Sequence, residues 1–367
     1  MGVSRNGTRQ TVTALKAKIL QLIRQTGPLS LAQYMQMALL DSREGYYITR
    51  DPLGRDFVTA PEVSQIFGEL IGLFFVQVWE DRGCPERFHL VELGPGRGTL
   101  MADMLRASRV RSGFVAAAGI SLVEASPALR DVQAATLGDV RVTWRDDFDD
   151  VPDDAPLFLI ANEFFDALPV RQFIRSTRGW HERMVGAEDE TLVFAATPDP
   201  VPSEFIPAAL RDAPVGAMFE TSLPAQGVVR RIARRIAERD GVALIIDYGH
   251  AQSALGDTFQ AVKSHRYANP LAEPGEADLT VHVDFGALAE AARGEGARIY
   301  GPVTQAEFLV ALGIRARGTR LKNERPEHAG DIDAAIDRLT KPVQMGTMFK
   351  VLALSAPDTP TLPGFPC

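Results

Sequence analysis

The chain has 367 residues, 46% of them hydrophobic and 23% charged, with a net charge of −8. That composition excludes a disordered chain, a collagen-like repeat and a coiled-coil rod, and the acidic balance argues against a broad nucleic-acid face. The length suits one large domain with additions, or two domains. Cys84 and Cys367 supply neither a disulfide framework nor a cysteine-based zinc knuckle, so the chain reads as intracellular. Its longest apolar run, residues 66–79, falls short of the roughly 18 residues of a membrane span and contains Glu69, so no span is expected.

The first forty residues lack the apolar core of a secretory signal. They carry Arg5, Arg9, Lys16, Lys18 and Arg24 with no acid before Asp41, a bias that an organelle transit peptide shares. Leu15, Ile19, Leu22 and Ile23 instead predict an amphipathic helix over 12–24, stopped by Gly27-Pro28. From residue 86 the pattern alternates. Strands are predicted at 88–93, 119–123, 140–144, 157–161 and 242–246, with helices at 99–107, 127–137 and 225–239 between them. This is the rhythm of an α/β protein with a parallel sheet and helices on both faces. Residues 171–205 break the rhythm and predict an antiparallel excursion, and 248–281 reads as a long loop. Helices at 285–293 and 304–312, a strand at 348–354 and a proline-rich tail complete the chain.

Glu92-Leu93-Gly94-Pro95-Gly96-Arg97-Gly98 follows the first of these strands and opens a helix. Glycines there let the backbone approach a ligand closely, although a structural turn would use them too. A dinucleotide fingerprint places glycines first, third and sixth, whereas here the sixth position is Thr99. The second-strand acid, Glu124, lies 30 residues beyond Gly94, against about 20 in that fingerprint. Both departures point away from a nicotinamide oxidoreductase. The acid–X–Gly–X–Gly–X–Gly loop with its second-strand acid resembles the Rossmann-like methyltransferases that use S-adenosyl-L-methionine. Glu92 suits the ammonium of that cofactor, and Glu124 can accept from both ribose hydroxyls. Asp146 or Asp147, beyond the third strand, can accept from the adenine amine. Singly, each acid is more often a solvated charge; three at successive strand ends form a pattern.

The fourth strand runs into Asn162-Glu163-Phe164-Phe165-Asp166-Ala167-Leu168-Pro169, where an open parallel sheet binds its ligands. A turn of helix would set Glu163 and Asp166 on one side, as a carboxylate pair for a guanidinium or as acids decorating a helix N-terminus. Tyr248, His250, His265 and His282 fall near the long loop and are read as a substrate rim or as structural hydrogen-bonding groups. Their spacing is not that of metal ligands, so no metal is expected.

Several longer segments carry a closer resemblance. Asp51-Pro52, Asp56-Phe57, residues 59–68 (TAPEVSQIFG), the glycine loop, 162–170 (NEFFDALPV), 246–250 (IDYGH), 278–285 (DLTVHVDF), Met345-Gly346 and 349–352 together resemble the MidA-like methyltransferases. That family includes the mitochondrial complex I assembly factor that dimethylates an arginine symmetrically. The resemblance implies a seven-strand core over 86–170 and 240–355, a cap over 1–85, a substrate-side insertion over 171–239 and a tail over 356–367. It implies that Pro61, Glu62 and Ser64 approach the cofactor from the cap, where the residues alone suggest an ordinary helix start. The expected activity is methylation of a protein arginine by Glu163 and Asp166, on a complex I subunit or homologue. A rival expectation is an assembly chaperone that binds the cofactor with little catalysis. A homodimer is compatible with either. Arginine far outnumbers lysine, which favours a bacterial source and a cytoplasmic address; in a eukaryote the family implies the mitochondrial matrix.

Overall fold

A computed structural model describes residues 13–49, 59–359 and 361–366. Asp51-Pro52, Asp56-Phe57, the start of the predicted first helix and Cys367 therefore lie outside the described residues. Seven strands build the central sheet: β1 Phe88–Leu93, β2 Ala118–Val123, β3 Thr143–Arg145, β4 Leu157–Asn162, β5 Gly241–His250, β6 Arg298–Thr304 and β7 Phe349–Ser355. Their spatial order is β3-β2-β1-β4-β5-β7-β6, parallel from β1 to β5, with β7 antiparallel to both neighbours. The two-residue strand Val283–Asp284 pairs with the end of β5. The chain leaves β1 toward β2 and returns on the other side through β4, so a crevice opens above the carboxyl ends of β1 and β4.

β1 and β4 are buried along their whole length, which explains why the sequence shows continuous apolar runs rather than alternation. Successive side chains still divide between the two faces. Leu90, Phe158, Ile160 and Leu244 join the cluster under helices α3 (Gln65–Asp81) and α4 (Thr99–Ser108). Val91, Leu159, Ala243 and Ile245 join the cluster on the opposite face, under α6 (Leu223–Arg239) and α7 (Phe285–Arg293). Helix α5 (Pro127–Leu137) connects β2 to β3. α3 crosses α4 almost backbone to backbone: a Cβ built on Gly72 would stand 2.5 Å from the Met104 carbonyl oxygen. Glu69 of α3, buried, accepts from Arg106 of α4 at 3.1 Å and from Arg317 at 2.7 Å.

Helices α1 (Ala14–Thr26) and α2 (Leu31–Leu40) lie elsewhere. Their buried faces share a core with Val185 and Leu192 of the antiparallel excursion and with Phe259, Ala261 and Leu279. The excursion is a sheet of Arg171–Ser176, Gly179–Glu188, Thr191–Ala196 and Met218–Thr221, extended by Leu29–Ser30 from the N-terminal segment.

Three expectations need correction. The predicted strand at 140–144 shrinks to Thr143–Arg145, and the first helix runs two residues past its predicted end. Residues 248–281 are no structureless loop: Gln260–Lys263, Arg266–Ala268 and Asp278–Thr280 form a three-stranded sheet, joined in part by a turn with Ser264 and His265 at positive φ. These strands have only three or four residues each, too few to show a period. The β6 strand was not anticipated from its pattern, since only Tyr300 within it is fully buried.

Gly72→Ala should lose about 1–3 kcal/mol in urea unfolding, because the added methyl meets backbone that cannot swing away. Gly227→Ala in α6, where the new methyl meets nothing within 4 Å, should instead gain up to about 1 kcal/mol.

Candidate active site

A cavity of about 360 Å³ sits above the carboxyl ends of β1 to β4, within the usual size range of small-molecule sites. Its floor is the turn after β1. Gly94 and Gly98 there have φ of +61° and +80°, and a Cβ on Gly94 would stand 2.9 Å from the Phe164 ring. These two positions therefore need glycine. Gln133 of α5, fully buried, braces the loop by donating to the Gly96 carbonyl at 2.8 Å and to Glu124 Oε2 at 3.1 Å. Trp144 in turn donates to Gln133 Oε1 at 2.8 Å.

The acids at the strand ends differ in what already satisfies them. Glu92 at the end of β1 is 3% exposed, and its Oε2 has no hydrogen-bond donor among the described residues. Burial pushes its pKa up to about 8. Asn162, ending β4, is in a similar position: Oδ1 is buried without a donor. Both line the cavity, and an ammonium group has N–H donors of the kind both lack. Glu124, beyond β2, accepts from the Ser126 N–H at 2.8 Å and keeps acceptor capacity toward the cavity, its pKa raised by burial. Asp146 and Asp147 line the far end. Asp146 is mostly exposed and pairs with Arg130 at 2.5 Å, while Asp147 caps the turn Phe148–Asp150 and lies 3.3 Å from Arg231.

The turn after β4 does not have the expected geometry. Glu163 takes a φ of +49° and only Phe165–Ala167 forms a short 3-10 turn, so the two acids do not share one face of a helix. Glu163 faces the cavity, where its Oε1 accepts from the Ala60 N–H at 2.9 Å and the Asn162 amide at 3.3 Å. Asp166 is buried outside the cavity lining and accepts from the Tyr248 hydroxyl at 2.5 Å. The two remain electrostatically close: burial lifts Glu163 to about 8, with Asp166 adding to the rise, and burial lifts Asp166 to about 6.

Two further acids stand behind them. Asp247, fully buried in β5, accepts from the Phe165 and Asp166 N–H groups at 3.0 and 3.2 Å through Oδ2, and from its neighbour Tyr248 N–H at 2.9 Å through Oδ1. Burial, Asp166 and Glu163 hold its pKa well above the ordinary range. Asp278 accepts from the Tyr47 hydroxyl at 2.7 Å. Both tyrosines have raised pKa values, chiefly through burial, and remain protonated donors.

From the N-terminal side, Pro61 and Glu62 of the short helix Ala60–Val63 line the cavity, and Glu62 accepts from Thr99 at 2.6 Å. Ser64 is placed otherwise than expected: it caps α3, accepting from Ile66 N–H at 3.2 Å, and does not line the cavity. Gly98 likewise serves as the cap of α4. None of the expected rim residues lines the cavity; Tyr248 and His250 each contact the His282 ring, with centroids 5.6 Å and 5.1 Å away. His265 is exposed at a hairpin turn and takes no part in those contacts. Asp247 and Asp278 lie in segments whose resemblance was visible, but their hydrogen bonds were not. Tyr47 and Gln133 carried no signal beyond their residue type, and Ala60 lay in a resembling segment that gave no sign of its bond to Glu163.

Comparison with known proteins bears on the family and the fold. A family model described as an S-adenosyl-L-methionine-dependent methyltransferase matches residues 70–303. The mitochondrial protein arginine methyltransferase NDUFAF7 of Mus musculus is 38% identical over 375 residues, covering 94% of this chain and 84% of the mouse protein. The Drosophila melanogaster homologue is also 38% identical, covering 93% and 83%. A Burkholderia thailandensis protein crystallised with S-adenosyl-homocysteine superposes with a TM-score of 0.82 at 30% identity, covering 96% of this chain and 94% of that one.

Glu92, Glu163 and Asp166 hold protons in the folded state at pH values where an unfolded chain has released them. Stability should therefore fall as pH rises from about 4.5 to 8. Thermal unfolding across that window should show the decline, and Glu92→Gln with Glu163→Gln should flatten it.

Proposed function

Because the chain belongs to a family of S-adenosyl-L-methionine-dependent methyltransferases that takes in the mitochondrial NDUFAF7 proteins, we propose that it methylates an arginine of a protein client, giving symmetric dimethylarginine on a respiratory complex I subunit or its homologue. The observation that carries this reading is the pair of carboxylates on one turn, Glu163 facing the cavity and Asp166 behind it, each held by a fixed donor. A guanidinium is always charged and presents a planar fork of donors that suits two carboxylates.

The cofactor supplies a methyl group on a sulfonium. Glu92 and Asn162 would hold its ammonium, the glycine loop its backbone, Glu124 its ribose hydroxyls, and Asp146 or Asp147 its adenine amine. Pro61 and Glu62 close the cavity from the cap. The work left to Glu163 and Asp166 is to offset repulsion between two cations and to align one guanidinium nitrogen with the methyl carbon. Alignment of this kind removes at best roughly 7–11 kcal/mol from a barrier. As the N–C bond forms and the S–C bond breaks, that nitrogen must lose a proton. Glu163, protonated in the empty site, becomes a carboxylate beside the bound guanidinium and can then take that proton back. We place the chain in a bacterial cytoplasm, or in the mitochondrial matrix if its source is eukaryotic; no helix among the described residues is long and apolar enough to cross a membrane.

Glu163→Gln and Asp166→Asn should each lower kcat/KM by about 10²–10⁴-fold while leaving S-adenosyl-homocysteine binding within a few-fold, as expected of groups that act on the acceptor. Calorimetry and a methyl-transfer assay with arginine peptides measure both. Unchanged activity in both variants would remove the two acids from the catalytic role, and absence of methyl transfer by the unaltered protein, with S-adenosyl-homocysteine still bound, would favour the chaperone alternative. Neutral loss of methylamine, not dimethylamine, from the dimethylated product in fragmentation spectra would establish the symmetric form.

A further inference from the structure

Beyond Tyr248 the electrostatic character of the molecule reverses. The Tyr248 ring, whose hydroxyl reaches Asp166, lies edge-on to His282 and to Phe349, with centroids 5.6 and 5.4 Å away. His282 and His250 are half-buried side by side, yet among the described residues neither imidazole has a hydrogen-bond partner. Lys350, next to Phe349 on β7, is close enough to bear on His282. Its ammonium donates only to the carbonyls of Thr347 and Met348, and no carboxylate among the described residues lies within ion-pair reach of it. The acids nearest this group are already committed. Asp284, the strand partner of His250, accepts from Ser253 Oγ at 2.5 Å and caps α7 through the Ala287 N–H at 2.9 Å. Glu307 caps its helix through the Thr304 N–H and hydroxyl at 2.9 and 2.7 Å.

Two imidazoles without hydrogen-bond partners beside a lysine that forms no ion pair, gathered at one place in a chain of net charge −8, need an explanation. Burial holds His282 below its ordinary pKa, and His250 and Lys350 add to the effect. An anion set among them would accept from the two imidazoles, which now have no protein acceptor, and would supply the counter-charge that Lys350 lacks within ion-pair reach. We propose that His250, His282 and Lys350 form an anion subsite that binds an acidic side chain adjacent to the target arginine of the client. The inference rests on the guanidinium reading of Glu163 and Asp166 and extends it. An arginine side chain reaching that pair past Tyr248 carries its neighbours in the client to the three bases. Imidazole N–H groups donate to a carboxylate in the neutral form as well, so the subsite does not require protonated histidines. Inorganic phosphate has the same acceptor chemistry and serves as the alternative source.

The test uses two capped peptides, acetyl-Gly-Asp-Arg-Asp-Gly-amide and its counterpart with Asn for each Asp, titrated into the protein loaded with S-adenosyl-homocysteine. The acidic peptide should bind about ten-fold more tightly, a difference of about 1.4 kcal/mol. Lys350→Met should bring the ratio close to one, and Lys350→Arg should preserve it. Retained S-adenosyl-homocysteine binding shows that each variant is folded. Inorganic phosphate should weaken the acidic peptide more than the amide peptide. Equal affinity for the two peptides would overturn the inference while leaving the arginine reading in place, even if phosphate alone bound at the bases. Binding of neither peptide would remove the arginine reading and this inference with it.

Discussion

The cost of taking carboxylates out of water organises the carboxyl end of the sheet. An unpaired buried charge is expensive, so each such group must find donors, find a cation or stay protonated. Asp247 finds three backbone N–H groups, Asp166 finds Tyr248, Asp278 finds Tyr47 and Glu163 finds Ala60. These donors come from the N-terminal segment, the turn after β4 and β5 itself. Satisfying the acids therefore fixes where those segments lie. What remains unsatisfied, Glu92 Oε2 and Asn162 Oδ1, faces the cavity. The acceptors left open around the cavity are thus ones that a cationic ligand would fill.

The same constraint explains why the N-terminal helices and the antiparallel strands share a core. Tyr47 reaches Asp278 across 231 residues of sequence, and Ala60 reaches Glu163 across 103. Hydrogen bonds of this length in sequence hold only if the elements at both ends are rigidly packed. The cluster joining Leu15, Ile19, Tyr34 and Met35 to Val185, Phe259 and Leu279 provides that packing. The Glu62–Thr99 bond ties the same N-terminal side to the first turn of α4. Cavity wall and acceptor acids are in this way parts of one packed body.

Much of this was legible in the sequence where the physics is local. β1, β4 and β5 are buried on both faces, and burial on both faces writes a continuous apolar run that can be read without a partner. Glycine spacing is local too, since a positive φ at Gly94 and Gly98 constrains those residues and no others. The turn after β4 was misjudged because spacing three apart suggests a helix, whereas Glu163 adopts the left-handed region and points its carboxylate elsewhere. Strands at 260–280 escaped notice because a three-residue strand gives no period. Asp247, Gln133 in its bond to the Gly96 carbonyl, and the Ala60 N–H act through bonds made across the fold, and no short window of sequence contains both ends of such a bond.

Two carboxylates at the acceptor position also bear on which cation the site favours. Lysine must give up its proton before its nitrogen can attack, and nearby carboxylates raise an ammonium pKa, so the pair that binds a lysine would hold it in its unreactive form. A guanidinium spreads its charge over three nitrogens and remains protonated throughout the accessible pH range. It gains the attraction of both carboxylates, and the proton it sheds on methylation can pass to Glu163, which burial disposes to hold one. On the proposed reading, the two buried acids that are costly in the empty protein are what distinguishes arginine from lysine in the occupied one.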